Sequence, residues 1–268
     1  DNLTTAVKEK AQAALGKLAL PSGVTAELDP NQTYTVPATT SNGDKGNVAV
    51  KVQYKDATGT VVAEDTISVP VTVVSSTPSK IVVFEGETPT AEQAKEAVTT
   101  GTDGTKGEPT TLPETTGKAG ATDVKVDVPV TYDNGKLTET VSVPVTVLPK
   151  ATGEADVPKG STVDKVKEVA KAKATALVAA TDFTGKLPTG ATVTVGNITE
   201  AVAETLTNEK GTNKGVVNVP ATYTVDGKTY NTTVPVTINV LGSEPKTVYT
   251  VEGTKPDAEK VKNAVTPD

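Results

Sequence analysis

The sequence predicts an all-β protein made of tandem repeats, and three observations carry that prediction. Thr and Val, which both favour strands, supply 49 and 42 of the 268 residues. A strand-like pattern of alternating Val and polar residues recurs three times, each time around a proline, at Pro70, Pro144 and Pro235. Each copy follows a glycine-containing turn with alternating apolar and polar residues on both sides, which is typical of a half-buried β-hairpin.

The hairpins share a tyrosine as well as a turn. The first strand of each hairpin ends at Tyr54, Tyr132 or Tyr223, and an aspartate opens the turn that follows. Turns of the Asn-Gly and Asp-Gly kind are strong hairpin signals. They explain the aspartates better than a calcium loop, because the further acidic positions of such a loop are lacking. The fixed place of the tyrosines favours packing over a ladder that stacks ligands.

A second repeated element opens the repeats and predicts a short helix. Residues 86–98 and 253–265 match in register, and Thr90 and Asp257 fall at the same place. Both side chains can cap the N-terminus of a helix, and Gln93 can complete a capping box with Thr90. We therefore expect a short helix in each of these two segments.

The third repeat has a longer helical segment, predicted over residues 163–180. Its apolar residues recur every three or four positions, which places them on one face of a helix. The stripe comprises Val163, Val166, Ala170, Ala174 and Leu177. Residues 3–15 look like a counterpart of this segment, so a helix is expected there too.

Prolines lie near the ends of two strands in most repeats. Because proline has no N–H to donate to a ladder, we expect these residues at sheet edges, where they prevent pairing with a neighbouring chain. The first repeat departs from the pattern, since Lys51 stands where the later repeats have Pro129 and Pro220.

The composition excludes several classes of function. The chain has no His, Cys, Met or Trp, and all 26 of its Lys and Arg residues are Lys. A Ser-His-Asp triad, a thiol nucleophile, haem or iron–sulfur ligation and the usual zinc sites are therefore excluded. We expect no cofactor and no metal. The net charge of −7 argues against nucleic acid as a partner, and the lack of a long apolar run argues against membrane insertion.

Short segments rich in Pro, Ser and Gly separate the repeats. They predict a first repeat over residues 1–77 that lacks its first strand, a second over 78–149, a third over 150–243, and the start of a fourth over 244–268. The chain begins with neither Met nor a signal sequence, so we expect it to be cut from a longer array. Residues 246–268 carry the strand and helix start that the first repeat lacks. We therefore expect strand exchange, in which the tail of one molecule completes the first repeat of another.

The second repeat contains a distinctive order of motifs. These are the opening Ile81-Val-Val-Phe84-Glu-Gly-Glu-Thr-Pro-Thr90, a Gly- and Thr-rich stretch, the strand end Val-Pro-Val-Thr-Tyr132-Asp-Asn-Gly, and the closing Val-Pro-Val-Thr-Val147. This order resembles the Rib repeat family, and the first and third repeats look like longer variants of it. The resemblance implies tandem immunoglobulin-like β-sandwiches of reduced size on the surface of a Gram-positive bacterium, and no catalytic residues.

Several short motifs resemble sites without predicting one. Leu112-Pro-Glu-Thr-Thr-Gly117 is one residue too long for a sortase signal, and no apolar segment and basic tail follow it. Triplets for N-glycosylation arise readily by chance in a Thr-rich chain, and they begin at Asn2, Asn31, Asn197 and Asn231. Lys–Asn cross-links are chemically available, but no spacing singles out a trio of residues. The sequence therefore specifies no catalytic, metal or ligand-binding residue.

The expected function is a non-enzymatic stalk of a Gram-positive surface adhesin, extracellular and attached to the cell wall. Its partners would be the neighbouring repeats, which would form a rod on the order of 100 Å long and project a distal binding domain. In the alternative, the repeats themselves bind a host or matrix protein or a glycan, through residues 101–120 and 188–215. A carboxylate-based glycosidase needs one paired site, which the repetition of similar units disfavours.

Overall fold

The protein is rich in β-structure, and its residues group into two compact units. The structure, a computed structural model, describes residues 2–35, 41–207 and 210–266. The first compact unit comprises Asp1–Ser79, Thr90–Leu112 and Val126–Val143, and the second comprises Lys80–Pro89, Pro113–Lys125 and Pro144–Asp268. The predicted second repeat, residues 78–149, therefore contributes to both units.

Helices are few and strands are many in the described residues. The helices are α1 (Asn2–Leu15), α2 (Ala91–Glu96), α3 (Val163–Ala179), α4 (Thr181–Thr184) and α5 (Ala258–Asn263), with 3₁₀ turns at Asp133–Gly135 and Glu204–Thr207. The strands are β1 (Thr25–Leu28), β2 (Lys45–Lys55), β3 (Val61–Thr72), β4 (Thr77–Pro78), β5 (Ile81–Phe84), β6 (Val98–Thr99), β7 (Thr105–Lys106), β8 (Lys125–Tyr132), β9 (Leu137–Leu148), β10 (Gly153–Pro158), β11 (Thr192–Val195), β12 (Gly211–Val225), β13 (Lys228–Leu241), β14 (Glu244–Pro245) and β15 (Val265–Thr266).

The first repeat folds as an antiparallel sheet with one helix packed on it. The strand order is β1-β2-β3. Val48, Val50 and Val52 of β2 are almost fully buried, because every second residue of a strand points to the same face. Val7 and Ala11 of α1 join the same core. The helix expected over residues 3–15 is therefore confirmed.

In the second and third repeats, the first strand lies parallel to the last. In the third repeat the sheet order is β10-β13-β12-β11, and Gly153 of β10 lies opposite Val236 of β13. In the second repeat the order is β5-β9-β8-β7, and Ile81 of β5 lies opposite Val145 of β9. The two ends of each of these repeats are thus held side by side by backbone hydrogen bonds.

The predicted hairpins are present. In the third repeat, Val225 pairs with Lys228 around the two-residue turn of Asp226 and Gly227, whose φ angles are 48° and 76°. Positive φ at both turn residues defines the tight hairpin turn that Asp-Gly sequences favour. In the second repeat, the 3₁₀ turn Asp133–Gly135 connects β8 and β9.

The helix starts agree with the sequence prediction, and one detail of the stripe differs. Thr90 and Gln93 form the expected capping box of α2, and Asp257 caps α5. On α3, Val178 is buried, whereas Leu177 is only half-buried. A turn of 3.6 residues displaces a stripe by about one position over several turns, so Val178 is buried at the end of the helix while Leu177 packs at the edge of the core.

The prediction that the prolines lie at sheet edges is correct for Pro70 and wrong for the other four, which belong to inner strands. Pro70 belongs to β3, an outer strand. Pro144 and Pro235 belong to inner strands, but each lies one residue before the segment that pairs with the parallel strand. Pro129 and Pro220 take part in hydrogen bonding on the side away from the hairpin partner through their carbonyl oxygens, which accept from glycine N–H groups. The missing N–H groups therefore cost no ladder hydrogen bond there.

Candidate functional site

Two of the three repeated tyrosines, Tyr132 and Tyr223, lie at the junctions between consecutive repeats. The first junction consists of the linker 75–79 with Tyr132 and Asp133, and it lies within the first compact unit. The second junction consists of the linker 149–153 with Tyr223 and Asp226, and it lies within the second compact unit. In both cases the tyrosine ends the first hairpin strand of one repeat and contacts the linker to the preceding repeat.

The first junction is built around a polar network. Tyr132 is 3% exposed, and its hydroxyl lies 2.6 Å from the Ser76 hydroxyl. The Tyr132 O–H also donates to Oε2 of Glu139 at 3.1 Å. The Ser76 backbone N–H donates to the same carboxylate oxygen at 2.9 Å. One carboxylate therefore ties the linker to the hairpin, and hydrogen bonds to a charged group are stronger than neutral ones.

A glycine turn closes the other side of the first junction. A Cβ atom on Gly104 would lie 2.7 Å from Cε1 of Tyr132. A Cβ atom on Gly101 would lie 2.8 Å from the Ser75 carbonyl oxygen. Only residues without a side chain allow the backbone this close, so the glycines of residues 101–104 are explained by packing against Tyr132 and the linker.

Charged and amide side chains extend the first junction at its surface. The ammonium of Lys10, from α1 of the first repeat, lies 3.1 Å from the carboxylate of Asp133. Both side chains are about half exposed, so this ion pair contributes little stability. The Ser75 N–H donates to Oδ1 of Asn42 at 3.0 Å.

The second junction is built around aromatic rings. Tyr223 is fully buried, and its O–H donates to the Pro149 carbonyl oxygen at 2.5 Å. Its ring meets Phe84 edge to face at a centroid distance of 5.1 Å and lies 6.3 Å from Phe183. Burial raises the pKa of Tyr223 to about 12, since an apolar environment disfavours the phenolate.

The apolar core of the third repeat continues through this junction. Phe84, Leu148 and Ala151 belong to the same buried cluster as Tyr223. At its edge, Lys150 lies 5.9 Å from the Phe84 ring centroid, a cation–π distance. The second junction therefore excludes water where the first junction uses polar groups.

An ion pair recurs at the second junction. Lys80 of the second repeat pairs with Asp226, the turn aspartate of the third, as Lys10 of the first repeat pairs with Asp133. Sequence reasoning predicted that Tyr132 and Tyr223 pack, but it missed their partners in the linkers. The recurrence of tyrosine, turn aspartate and linker at matching places was the signal that could have found them.

The sortase-like motif is part of a packed loop. Thr115 is 1% exposed, and its hydroxyl donates to the Glu87 carbonyl oxygen at 2.8 Å. The Gly117 N–H donates to Oε1 of Glu85 at 2.8 Å. These contacts give the motif a structural role, which fastens residues 112–117 to the opening of the second repeat.

The glycosylation triplets and the Lys–Asn pairing have the following positions. Asn31, Asn197 and Asn231 are exposed, whereas the side chain of Asn2 lies outside the described residues. The Lys171 ammonium donates to Oδ1 of Asn197 at 2.7 Å in an exposed setting. This contact brings a Lys and an Asn together by a side-chain hydrogen bond.

A groove is lined partly by residues 188–195, from the second segment proposed for ligand binding in the alternative function, and partly by residues that precede it. It has a volume of about 620 Å³ and is lined in part by Val178, Leu187 and Val193. In residues 2–35, 41–207 and 210–266, no group of three or more Asp or Glu side chains is placed to hold a metal ion. Over the same ranges, no helix combines the length and apolar character needed to cross a bilayer.

No family model and no curated protein matches the chain. Among solved structures, it is similar to two structures of an endo-fucoidan hydrolase from glycoside hydrolase family 107, at 13% and 10% identity and TM-scores of 0.20 and 0.18. These alignments cover 82% of this chain and 39% of the hydrolase chain. It is also similar to an I-band fragment of titin, at 9% identity and a TM-score of 0.16, over 82% of this chain and 89% of the fragment.

These similarities contradict the prediction that the chain is not an enzyme. That prediction was wrong as a flat exclusion, because two of the similar structures are glycoside hydrolases. The physical reason is that missing His and Cys exclude only the mechanisms that use them. Glycoside hydrolysis generally needs two carboxyl groups, and the chain has 33 Asp and Glu residues. At these TM-scores the similarity carries no argument for an activity or substrate of this chain.

Proposed function

We propose that this chain is the structural stalk of a Gram-positive surface adhesin. In this proposal, tandem Rib-like repeats of immunoglobulin-like sandwich type project a distal binding domain from the cell wall, outside the cell. The resemblance of the second repeat to the Rib family supplies the biological setting. Two features of the described residues support a mechanical role.

The parallel pairing of first and last strands is the observation that carries the proposal. In the third repeat, six residue pairs join β10 to β13. Tension enters at the start of β10 and leaves at the end of β13, so it pulls two parallel neighbours in opposite directions. Every hydrogen bond between them is then loaded at once, in shear. The four pairs between β5 and β9 have the same geometry.

The junctions are the second supporting feature. A free linker of a few residues bends easily, but here Ser76 and Pro149 are each bonded to a buried tyrosine. A linker held by hydrogen bonds loses much of the conformational freedom that lets domains move relative to each other. A spacer can hold a distal domain at a fixed distance only if its linkers are restrained.

A force experiment on the full chain tests the shear geometry. The Lys159 N–H donates to the Leu241 oxygen, so by strand alternation the Ala155 N–H faces β13 and the Asp156 N–H faces away. Ala155→Pro should lower the force at which the third repeat unfolds, whereas Asp156→Pro should leave it nearly unchanged. Equal unfolding forces for wild type and both variants would show that this strand pair does not bear the load.

Small-angle X-ray scattering of the unmodified chain tests the stalk itself. Extrapolation to zero concentration separates the shape of one molecule from association. A maximum dimension above about 100 Å with little flexibility is expected. A Tyr132→Ala, Tyr223→Ala double variant should broaden the distance distribution, and Tyr54→Ala is the matched control. A compact wild-type particle would overturn the stalk.

A further inference from the structure

The tail of the chain folds as a second copy of the opening of the second repeat. Pro245 pairs with Val265 in β14 and β15, as Pro78 pairs with Val98 in β4 and β6. The Lys246 N–H donates to the Ala264 oxygen at 2.6 Å, as the Ser79 N–H donates to the Ala97 oxygen at 2.7 Å. Each tail residue therefore corresponds to a known residue of the second repeat.

This correspondence identifies an uncovered strand. Residues 248–251 match β5, in which Ile81, Val83 and Phe84 are buried and pair in parallel with β9. In the tail, Tyr249 is 86% exposed and Val251 is 75% exposed. Within the described residues, no strand pairs with residues 248–251. Among the described residues, the tail thus presents a strand-forming segment that is not paired with another strand.

The matching edge lies in the first repeat. Residues 71–74 correspond to residues 145–148, the part of β9 that pairs with β5. Val145, Val147 and Leu148 are buried, whereas the valines of residues 71–74 are only half-buried. In the residues that the structure describes, β3 is an outer strand, paired with β2 alone.

The backbone N–H and C=O groups along this edge are oriented as a parallel partner strand would require. The Val73 N–H donates to the Asp44 oxygen, and the Val73 oxygen accepts from the Gly43 N–H, so Val73 uses its groups on the β2 side. By strand alternation, the groups of Thr72 and Val74 face outward. In β9 the Leu148 oxygen, which corresponds to the Val74 oxygen, accepts from the Glu85 N–H of the second repeat's opening. Corresponding residues therefore face outward along both edges.

We propose that residues 248–251 of one copy of this chain add as a parallel strand to residues 71–74 of a second copy. The register places Val248 opposite Val71 and Val251 opposite Val74, with the Glu252 N–H donating to the Val74 oxygen. The second copy is the occupant because the chain itself carries both halves of a pairing that its own second repeat makes. Donor and acceptor are different segments of the chain, so association is heterologous, that is, head to tail.

Disulfide trapping tests this register directly. The chain has no Cys, so only introduced thiols react. A full chain with Tyr249→Cys and Thr72→Cys, which fall opposite each other in the proposed register, should form disulfide-linked dimers and longer species under mild oxidation. The matched control joins Tyr249→Cys to Thr66→Cys, which is also exposed on β3 but lies about 20 Å further along it. The in-register pair should cross-link at least tenfold faster.

A second measurement keeps the test independent of the cysteines. Light scattering should show a mass that rises with concentration in the unmodified chain. Val251→Asp should abolish that rise, and Asn263→Asp, at an exposed position of α5 whose counterpart Glu96 is also exposed, should preserve it. Monomers at all concentrations, disulfides formed only within one chain, or equal cross-linking of the two cysteine pairs would each overturn the proposal.

Discussion

The two junctions place an equivalent tyrosine in the same position but hold it by different forces. At the first junction, Tyr132 is bound by the Glu139 carboxylate and the Ser76 hydroxyl. At the second junction, Tyr223 packs against Phe84 and donates to a backbone oxygen. The comparison teaches that the repeat pattern conserves the position of the tyrosine within the chain, while the surrounding residues decide the energetics.

One sequence difference accounts for much of this contrast. When the closing strands are aligned on Pro144 and Pro235, Glu139 of the second repeat corresponds to Tyr230 of the third. Tyr230 lies directly opposite Tyr223. Without a carboxylate at this position, the Tyr223 hydroxyl finds its acceptor in the linker backbone, and a second ring adds apolar surface.

Removal of the aromatic ring at the second junction should have the largest effect. Tyr223→Ala leaves a cavity beside Phe84 and an unpaired linker carbonyl, and it should lower the free energy of unfolding of the second compact unit by about 3–5 kcal/mol. Hydrogen exchange should show lost protection there and not in the first unit. Tyr249→Ala, at an exposed position of the same unit, should be neutral. Equal losses in both units would contradict separate junctions.

High pH should weaken the second junction specifically. The pKa of Tyr223 is raised by burial to about 12, from an unfolded value near 10. Its stabilising contribution is therefore complete below pH 10 and is lost as pH rises through 12, on the order of 2–3 kcal/mol. Denaturant unfolding between pH 9 and 12.5 measures this loss. A Tyr223→Phe variant should lack it, and a wild-type slope in that variant would assign the loss to other groups.

Overpacking should disturb the first junction. Gly104→Ala brings a methyl group to 2.7 Å from the Tyr132 ring, and it should destabilise the first compact unit by about 1–3 kcal/mol. Gly16→Ala is the control, because its new Cβ atom meets nothing closer than 3.8 Å. Thermal unfolding followed by circular dichroism compares the two. Equal midpoints would show that the turn yields without cost.

Loss of one hydroxyl at the first junction should have the smallest effect. Tyr132→Phe removes the O–H that donates to Glu139, and about 1–2 kcal/mol of stability should be lost from the first compact unit. Tyr54→Phe is the matched control, since the Tyr54 hydroxyl has no hydrogen-bond partner among the described residues. If both variants unfold at the same urea concentration, the network does not stabilise the junction.

Local patterns predicted most of the elements correctly. The capping box of α2, the helices near both ends and the Asp226-Gly227 hairpin depend on residues a few positions apart, so their signals are present in short windows. That Pro144 and Pro235 lie on inner strands was not predicted. Whether a strand is inner or outer depends on which distant segment pairs with it, and in these repeats the parallel partner covers only the residues after the proline.

The sequence by itself determined the strand-rich composition, the repeated hairpins and the place of each tyrosine, because these follow from propensity, periodicity and turn chemistry over short distances. Tertiary structure alone decided that Tyr132 meets Ser76 and that Tyr223 meets Pro149. Those partners are separated by 56 and 74 residues. Contacts at such separations arise only when strand pairing and core packing bring whole segments together.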